Sequence, residues 1–347
     1  MCKKPLKAWC IGTTESGKRK MHITDYNVQY VFLRDGHVLD GYGEFNINSN
    51  ADLLIRKYVE IPCGQCLECR INYSRSWADR CLAETQYHDY NWFVTLTYDN
   101  NHVPFTGDVV NPDTGEITNV QTLVKKDIQL FWKKLRRSLY HRFDGNPPKI
   151  MYFACGEYGS QTKRPHYHAI VFGLPIHDLQ LYKKACTGNY YNSAWLERIW
   201  GNGFVVVADA TWQSCAYTAR YILKKQYGQE SKELKKIGVQ PEFTAMSLKP
   251  AIGKQFYDEH KEEIYGSGAF VSTPDGGRQI RPNRYFDKLL EREDPERLLR
   301  LKEKRIQSMK ARTDLKLSQT DKDYMQMLES ELETLEARIS KLPRKEI

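Results

Sequence analysis

No run of residues is long and apolar enough for a membrane-spanning helix, and Met1 to Cys10 lack the hydrophobic core of a secretion signal. Both absences predict a soluble protein that stays in a cytoplasm. Strand-like and helix-like segments alternate, yet none carries the glycine-rich loop that cradles phosphates in nucleotide-binding folds. Glycine stops after Gly277, where a stretch dense in mixed charge begins. Charge of one sign is not abundant either: 52 Lys and Arg against 43 Asp and Glu leave +9 over 347 residues. With so modest an excess, the clustering of basic residues tells more than their total. Nine cysteines, an odd number, point to reduced thiols or metal ligands rather than a disulfide framework. What the chain does have is length for a sizeable core, in one large domain or two, and 22 tyrosines. Tyrosines suit a surface that stacks on unpaired bases and are equally ordinary in cores.

Residues 1 to 60 mix short β-like runs with polar turns, and Ile61 to Arg70 reads as a compact turn before a helix from about Ser74 to Tyr87. Asn91 to Tyr98, β-branched and aromatic, reads as a buried strand, and Pro104 to Thr118 as a surface loop. From Leu123 to Arg142 the period turns helical, with Ile128, Phe131, Trp132, Leu135 and Leu139 on one face. Lys125, Lys126, Lys133, Lys134, Arg136 and Arg137 fill the other faces. They are either a solvated side or a set of phosphate contacts. Lys149 to Cys155 and His166 to Phe172 read as strands joined through Gly156-Glu-Tyr-Gly159. Short helices are expected near Leu179 to Ala185 and Ser193 to Trp200, a strand at Gly203 to Ala208, and a helix from Trp212 to Lys225. Gly228 to Lys236 reads as a polar linker. Asp287 to Leu342 reads as helix, with Leu328, Leu332, Leu335, Ile339 and Leu342 forming a short heptad seam. That seam either packs back on its own domain or joins two chains.

Two small patterns carry chemistry. In His166-Tyr-His168 the histidines alternate along a strand, so both imidazoles leave one sheet face. Glu157, at the end of the preceding strand, can add a carboxylate oxygen. Two imidazoles and a carboxylate on one side of a divalent ion leave positions open for a phosphate, and either Mg²⁺ or Mn²⁺ suits them. The bland reading is a strand with two half-buried histidines. In the second pattern, Tyr217 and Tyr221 stand four residues apart on a helix, so both phenols share a face. Arg220 and Lys224 follow them by three residues each, and positive charge beside a phenol favours the nucleophilic phenolate. Two packing tyrosines would be the ordinary explanation. Facing a metal site, however, two hydroxyl nucleophiles can cut a DNA phosphodiester, hold the 5′ end as phosphotyrosine, and reseal it without ATP.

Cys63-x-x-Cys66-x-x-Cys69 has thiolate-site spacing, and Gly64 allows the turn it needs. A structural zinc would take a fourth ligand from Cys2, or failing that Cys10. An iron–sulfur cluster, or three reduced cysteines stabilising a turn, are the other readings.

Over roughly Cys63 to Leu290 the chain resembles the replication initiation proteins of small single-stranded DNA bacteriophages, the microviruses, most closely the gokushovirus group. Those are HUH endonucleases of rolling-circle replication. Phe93-Val-Thr-Leu-Thr-Tyr98 resembles their first motif, Gly156-Glu-Tyr-Gly159 with Arg164-Pro-His-Tyr-His168 the second, and Tyr217-Thr-Ala-Arg-Tyr221-Ile-Leu-Lys224 the two-tyrosine third. Ile61 to Cys69, Ser247 to Gly253 and Arg284 to Leu290 resemble segments peculiar to the microvirus branch. Leu248 and Ala251 depart from a basic residue and a glycine there, which bears on a local turn.

The resemblance implies an α+β fold: a central antiparallel sheet flanked by helices, with the metal histidines on a central strand, the tyrosine helix beside it and a helical C-terminal extension. It also implies a metal-dependent endonuclease and strand transferase that nicks the viral-strand origin of the duplex phage genome, leaves a 3′-hydroxyl primer and joins the displaced strand into a circle. Host helicase and polymerase are the expected partners and the host bacterial cytoplasm the expected place, with no membrane involved. The expected organisation is an N-terminal cysteine-bearing region (1–90), the nicking core (91–227), a family-specific extension (228–286) and a charged helical tail (287–347). A transposase or relaxase with the same site is the neighbouring alternative. A non-catalytic zinc-dependent nucleic-acid-binding protein is the alternative of another class.

Overall fold

A computed structural model describes residues 2–15, 17–44, 52–159, 161–185, 188–224, 229–274 and 276–341, with the side chains of 220–224 and 229–230 outside that description. The chain divides into two compact units, Met1–Asn72 with Arg300–Ile347, and Tyr73–Leu299.

The first unit contains strands β1 (Leu6–Thr13), β2 (Arg19–Thr24), β3 (Tyr30–Arg34), β4 (His37–Gly41), β5 (Leu53–Ile55) and β6 (Tyr58–Ile61). They form two three-stranded sheets, ordered β2-β1-β6 and β4-β3-β5. Trp9, Val28 and Val31 make its small core, and the Trp9 indole donates to Thr24 Oγ1 at 2.9 Å. Lys7 is buried here, donating to the Val28 carbonyl at 2.6 Å with its ammonium over the Tyr26 and Tyr58 rings, so the charge is solvated by a carbonyl and π faces instead of water.

Helix α1 (Leu67–Thr85) leads into the second unit. There follow β7 (Asn91–Tyr98), β8 (Val109–Val110), β9 (Ile117–Thr118), α2 (Lys125–Arg142), β10 (Met151–Tyr158), β11 (Pro165–Phe172), β12 (Gln180–Ala185), β13 (Gly188–Asn192), α3 (Ala194–Trp200), β14 (Gly203–Asp209), α4 (Trp212–Lys224), α5 (Gln229–Lys236), β15 (Phe243–Met246), α6 (Lys254–Tyr265), β16 (Ala269–Thr273), β17 (Gly276–Ile280) and α7 (Arg284–Glu293). Helices α8 (Pro295–Leu317) and α9 (Tyr324–Ser340) end the described chain.

The second unit is built on a seven-stranded sheet in the order β12-β13-β14-β7-β11-β10-β15, and every pairing in it is antiparallel. Strand alternation gives each face its own core. Val94, Leu96, Tyr98, Tyr167, Ala169, Val171, Val205 and Val207 point to one side and pack under α2 and α3 through Ile128, Phe131, Leu135, Leu196 and Trp200. Burying the apolar stripe of α2 contributes roughly 1.5–3 kcal/mol per large side chain. Helix α3 is well terminated: Ser193 Oγ accepts from Leu196 N, and Gly201 closes it at φ 68°. Phe93, Phe153, Ile170 and Phe172 point to the other side, beneath Trp77 and Cys81 of α1 and Cys215 and Ala219 of α4. The architecture is therefore α+β, with helices on both faces of one antiparallel sheet.

Several local expectations need correction. Residues 180–185 are strand β12, not helix: they pair with β13 at the sheet edge, and hydrogen bonding to a neighbour outweighs their weak local preference. Helix α1 begins at Leu67, so Cys69 sits in its first turn. Strand β10 runs through Gly156 and Glu157 to Tyr158 instead of turning there. The polar stretch after residue 228 is helix α5 from Gln229, since Gln, Glu, Lys and Leu are good helix formers even without an apolar stripe. The C-terminal region is three helices, α9 opened by a capping box of Asp323 and Gln326. On α9, Leu328 and Leu332 are buried and Leu335 and Ile339 half-buried, so the seam packs back on the chain; Leu342 lies outside the described residues. Leu248 and Ala251, at the departing positions, bridge one another across a turn.

Candidate metal and nucleophile site

The site starts from the β10–β11 register. Glu157 lies directly opposite His166, and Cys155 opposite His168, so the carboxylate and both imidazoles share the face covered by α1 and α4. Gly156 between them points the other way, where a Cβ would come within 2.9 Å of the Phe243 ring and 3.1 Å of Leu123. That position therefore excludes a larger residue.

Both Nε2 atoms converge on one oxygen: His166 lies 2.6 Å and His168 3.0 Å from Glu157 Oε1. The far nitrogens are held too. His166 Nδ1 is 3.1 Å from the Arg164 carbonyl, and His168 Nδ1 is 2.9 Å from Thr95 Oγ1. Donating their Nδ1 protons there would leave both Nε2 lone pairs for a metal, the outer arrangement that metal-binding histidines ordinarily have. Burial pushes the Glu157 carboxyl up, but the hydrogen bonds and charge of the two histidines outweigh it and bring it down to about 2. One donor atom from each residue lies within 4.8 Å of the others. An N,N,O donor set this close fits a divalent ion.

Tyr217 comes to this site from α4. Thr211 and Ser214 cap that helix reciprocally, Thr211 N donating to Ser214 Oγ at 2.7 Å and Ser214 N to Thr211 Oγ1 at 3.2 Å. Cys215, Thr218 and Ala219 are buried, which fixes the helix's rotation and turns Tyr217 toward the sheet. Its ring stands 5.3 Å from the His168 ring and 5.9 Å from Phe93, edge-on to both, while Phe93 stacks flat on His168 at 5.2 Å. Helix α4 continues through Tyr221 and Lys224, but the side chains of Arg220, Tyr221 and Lys224 lie outside the described residues.

Thr95 and Phe93 were not singled out among the candidate residues. The signal was present: Phe93, Thr95 and Thr97 alternate along β7, and β7 pairs with β11 in a register that sets Thr95 against His168. The basic residues Lys125, Lys126, Lys133, Lys134, Arg136 and Arg137 are all exposed on α2, which packs on the opposite face of the sheet, so the fold does not bring them to the histidines.

In the first unit, Cys2, Cys63, Cys66 and Cys69 are gathered with their sulfurs all within 4.8 Å of one another. Cys10 is exposed and stands outside the group, its thiol directed to the Gly12 carbonyl. Among the described residues no helix is long and apolar enough to cross a membrane.

Residues 91–226 match the family model of the replication-associated protein ORF2. The chain is 32% identical to the replication-associated protein ORF2 of Spiroplasma virus 4, over 86% of this chain and 92% of that one. It is 30% identical to the replication-associated protein VP4 of Bdellovibrio phage phiMH2K, over 73% and 76%, and 32% identical to the replication-associated protein ORF4 of Chlamydia phage 1, over 48% and 38%. No solved structure matches the chain. The chain belongs to the family of microvirus replication-associated proteins, the replication initiators of these phages.

Proposed function

We propose that this protein is an HUH-type, metal-dependent DNA strand transferase that starts rolling-circle replication of a microvirus genome. The observation that carries this reading is the placement of Tyr217 on the same sheet face as His166, His168 and Glu157, edge-on to the His168 ring. His166, His168 and Glu157 would hold a Mg²⁺ or Mn²⁺ ion, which when bound polarises the scissile phosphate and spreads its developing charge. Thr95 and the Arg164 carbonyl keep the two imidazoles oriented. Tyr217 supplies the nucleophilic oxygen: its O–P bond forms as the bond from phosphorus to the 3′-oxygen breaks, and the departing oxygen takes up a proton to become the 3′-hydroxyl primer. Arg220 and Lys224 are the cations proposed to favour the phenolate. Tyr221, one turn on, is the second nucleophile needed to hold one end while the other is rejoined.

Belonging to a family of phage replication initiators supports DNA as the substrate, specifically the duplex origin opened to expose a single-stranded cleavage site. It also makes host helicase and polymerase the expected partners, in the host cytoplasm. The test is direct. Incubated with single-stranded origin DNA and Mg²⁺ or Mn²⁺, the protein should form an adduct that survives denaturant, and chelation should abolish it. Cleavage undiminished by chelator, or no adduct on any phage-genome fragment, would reject the reading.

A further inference from the structure

The four gathered cysteines do nothing in the histidine chemistry and belong to the other unit of the chain. We infer that Cys2, Cys63, Cys66 and Cys69 bind one zinc ion in a closed, four-thiolate structural site that clasps the segment before β1 to the first turn of α1.

The distances favour a single ion. Tetrahedral zinc with Zn–S bonds of about 2.3 Å sets its sulfurs about 3.8 Å apart. Cys2 Sγ lies 3.5 Å from Cys63 Sγ and 3.8 Å from Cys66 Sγ. These separations are far longer than a disulfide bond of about 2.05 Å. An iron–sulfur cluster would have to push the thiolates apart to enclose several irons and sulfides, and sulfurs this close leave room for one ion.

Local backbone supports the same conclusion. Gly64 takes φ +73° with open space around its Cα, so glycine is needed for conformation rather than for room. The turn it permits aims the amides of Gln65 and Cys66 at Cys63 Sγ, at 3.4 and 3.2 Å, and the amide of Cys63 at Cys2 Sγ at 3.3 Å. Such N–H···S bonds disperse the charge that thiolates carry when bound to a metal. Burial argues against thiols serving only as small hydrophobes. Cys81, Cys155 and Cys215 are fully buried, whereas Cys2, Cys63 and Cys69 are only partly so. The ion would link residues 61 apart in sequence, between the segment before β1 and the start of α1, a long-range tie that a short polar segment otherwise lacks.

The full-length protein, purified without an immobilised-metal tag, should contain about one zinc per chain by elemental analysis. Exchange with Co²⁺ should give thiolate-to-cobalt charge transfer and the d–d bands of a tetrahedral tetrathiolate. H168A should keep both signals, which separates this site from the histidine site, and C10S should also keep them. C2S and C66S should each lower the zinc content at least about tenfold. Should those variants fail to fold, thiol alkylation of the native chain still decides: Cys10 should react at once, and Cys2, Cys63, Cys66 and Cys69 only after a strong chelator. Substoichiometric zinc without cobalt bands, acid-labile sulfide with iron, or cluster thiols that react as fast as Cys10 would each overturn the inference.

Discussion

Tyr217 meets His168 edge to face, ring centroids 5.3 Å apart at 84°, with Phe93 closing the triangle. The contact uses the ring and leaves the hydroxyl for other work. Tyr217→Phe should therefore keep the fold, with stability within about 0.5 kcal/mol of the parent, and should keep metal affinity. What it should lose is efficient joining of the displaced strand into a circle, because only one nucleophile remains. Thermal melting, metal titration and a circularisation assay on the same preparation check all three. Loss of folding together with joining would reduce Tyr217 to a packing residue.

His168 supplies one of three ligand atoms, and Thr95 holds its far nitrogen at 2.9 Å. His168→Ala should abolish cleavage while changing DNA affinity less than about threefold, since phosphate contacts dominate nucleic-acid binding. Thr95→Val, similar in shape but unable to accept the imidazole proton, should weaken metal affinity by about 10–100-fold. Isothermal titration with Mn²⁺ measures the second effect, and an unchanged affinity would remove Thr95 from the account.

Asp79 of α1 is buried, and that burial raises its carboxyl to about 6 despite the opposing pull of Arg281, Arg75 and Arg278. The folded pKa thus exceeds the ordinary value of 3.8, and between pH 4 and 6 the folded state holds a proton that the unfolded state has lost. Asp79 therefore contributes a loss of stability as pH rises through that window, on the order of 3 kcal/mol in total. Asp79→Asn should flatten the stability–pH curve between about pH 4 and 6, measured by urea unfolding. A curve of unchanged slope would contradict the assignment.

On the opposite sheet face, the Tyr167 hydroxyl accepts from Val124 N at 3.1 Å, donates to the Val124 carbonyl at 2.9 Å and lies 2.8 Å from the Tyr98 hydroxyl, which donates to Asp127 at 2.7 Å. The pair pins the entrance of α2 to the sheet. Tyr167→Phe would strand those buried partners and should cost about 1–3 kcal/mol of stability, read from chemical denaturation. Metal binding by the neighbouring histidines should persist in this variant.

The parts of this molecule that were readable in its sequence are those where one residue's neighbours settle its environment. Alternation in Asn91–Tyr98 and His166–Phe172 specified two interior strands, and the five apolar residues of α2 specified its buried stripe. Pairing was less legible. That Glu157 faces His166 and that Thr95 reaches His168 depend on register between strands, which no single segment encodes. Edge strand β12 was misread because Gln180–Ala185 has little strand preference of its own and is held by β13. The basic face of α2 was legible as a helix face, but which side of the sheet that helix would cover was not. The cysteine spacing announced a turn and three thiols, while the fourth came from 61 residues away, through the path of β1 and β6.

The most direct test of the central claim is to locate the covalent bond. Protein incubated with origin single strand and Mn²⁺ is digested with protease and nuclease, and the nucleotide-bearing peptide is identified by mass. The account predicts a phosphodiester linkage on Tyr217 or Tyr221, a linkage shifted wholly to the remaining tyrosine in each single Phe variant, and none when both are Phe. A nucleotide attached to any other residue, or an adduct that persists in the double variant, would contradict it.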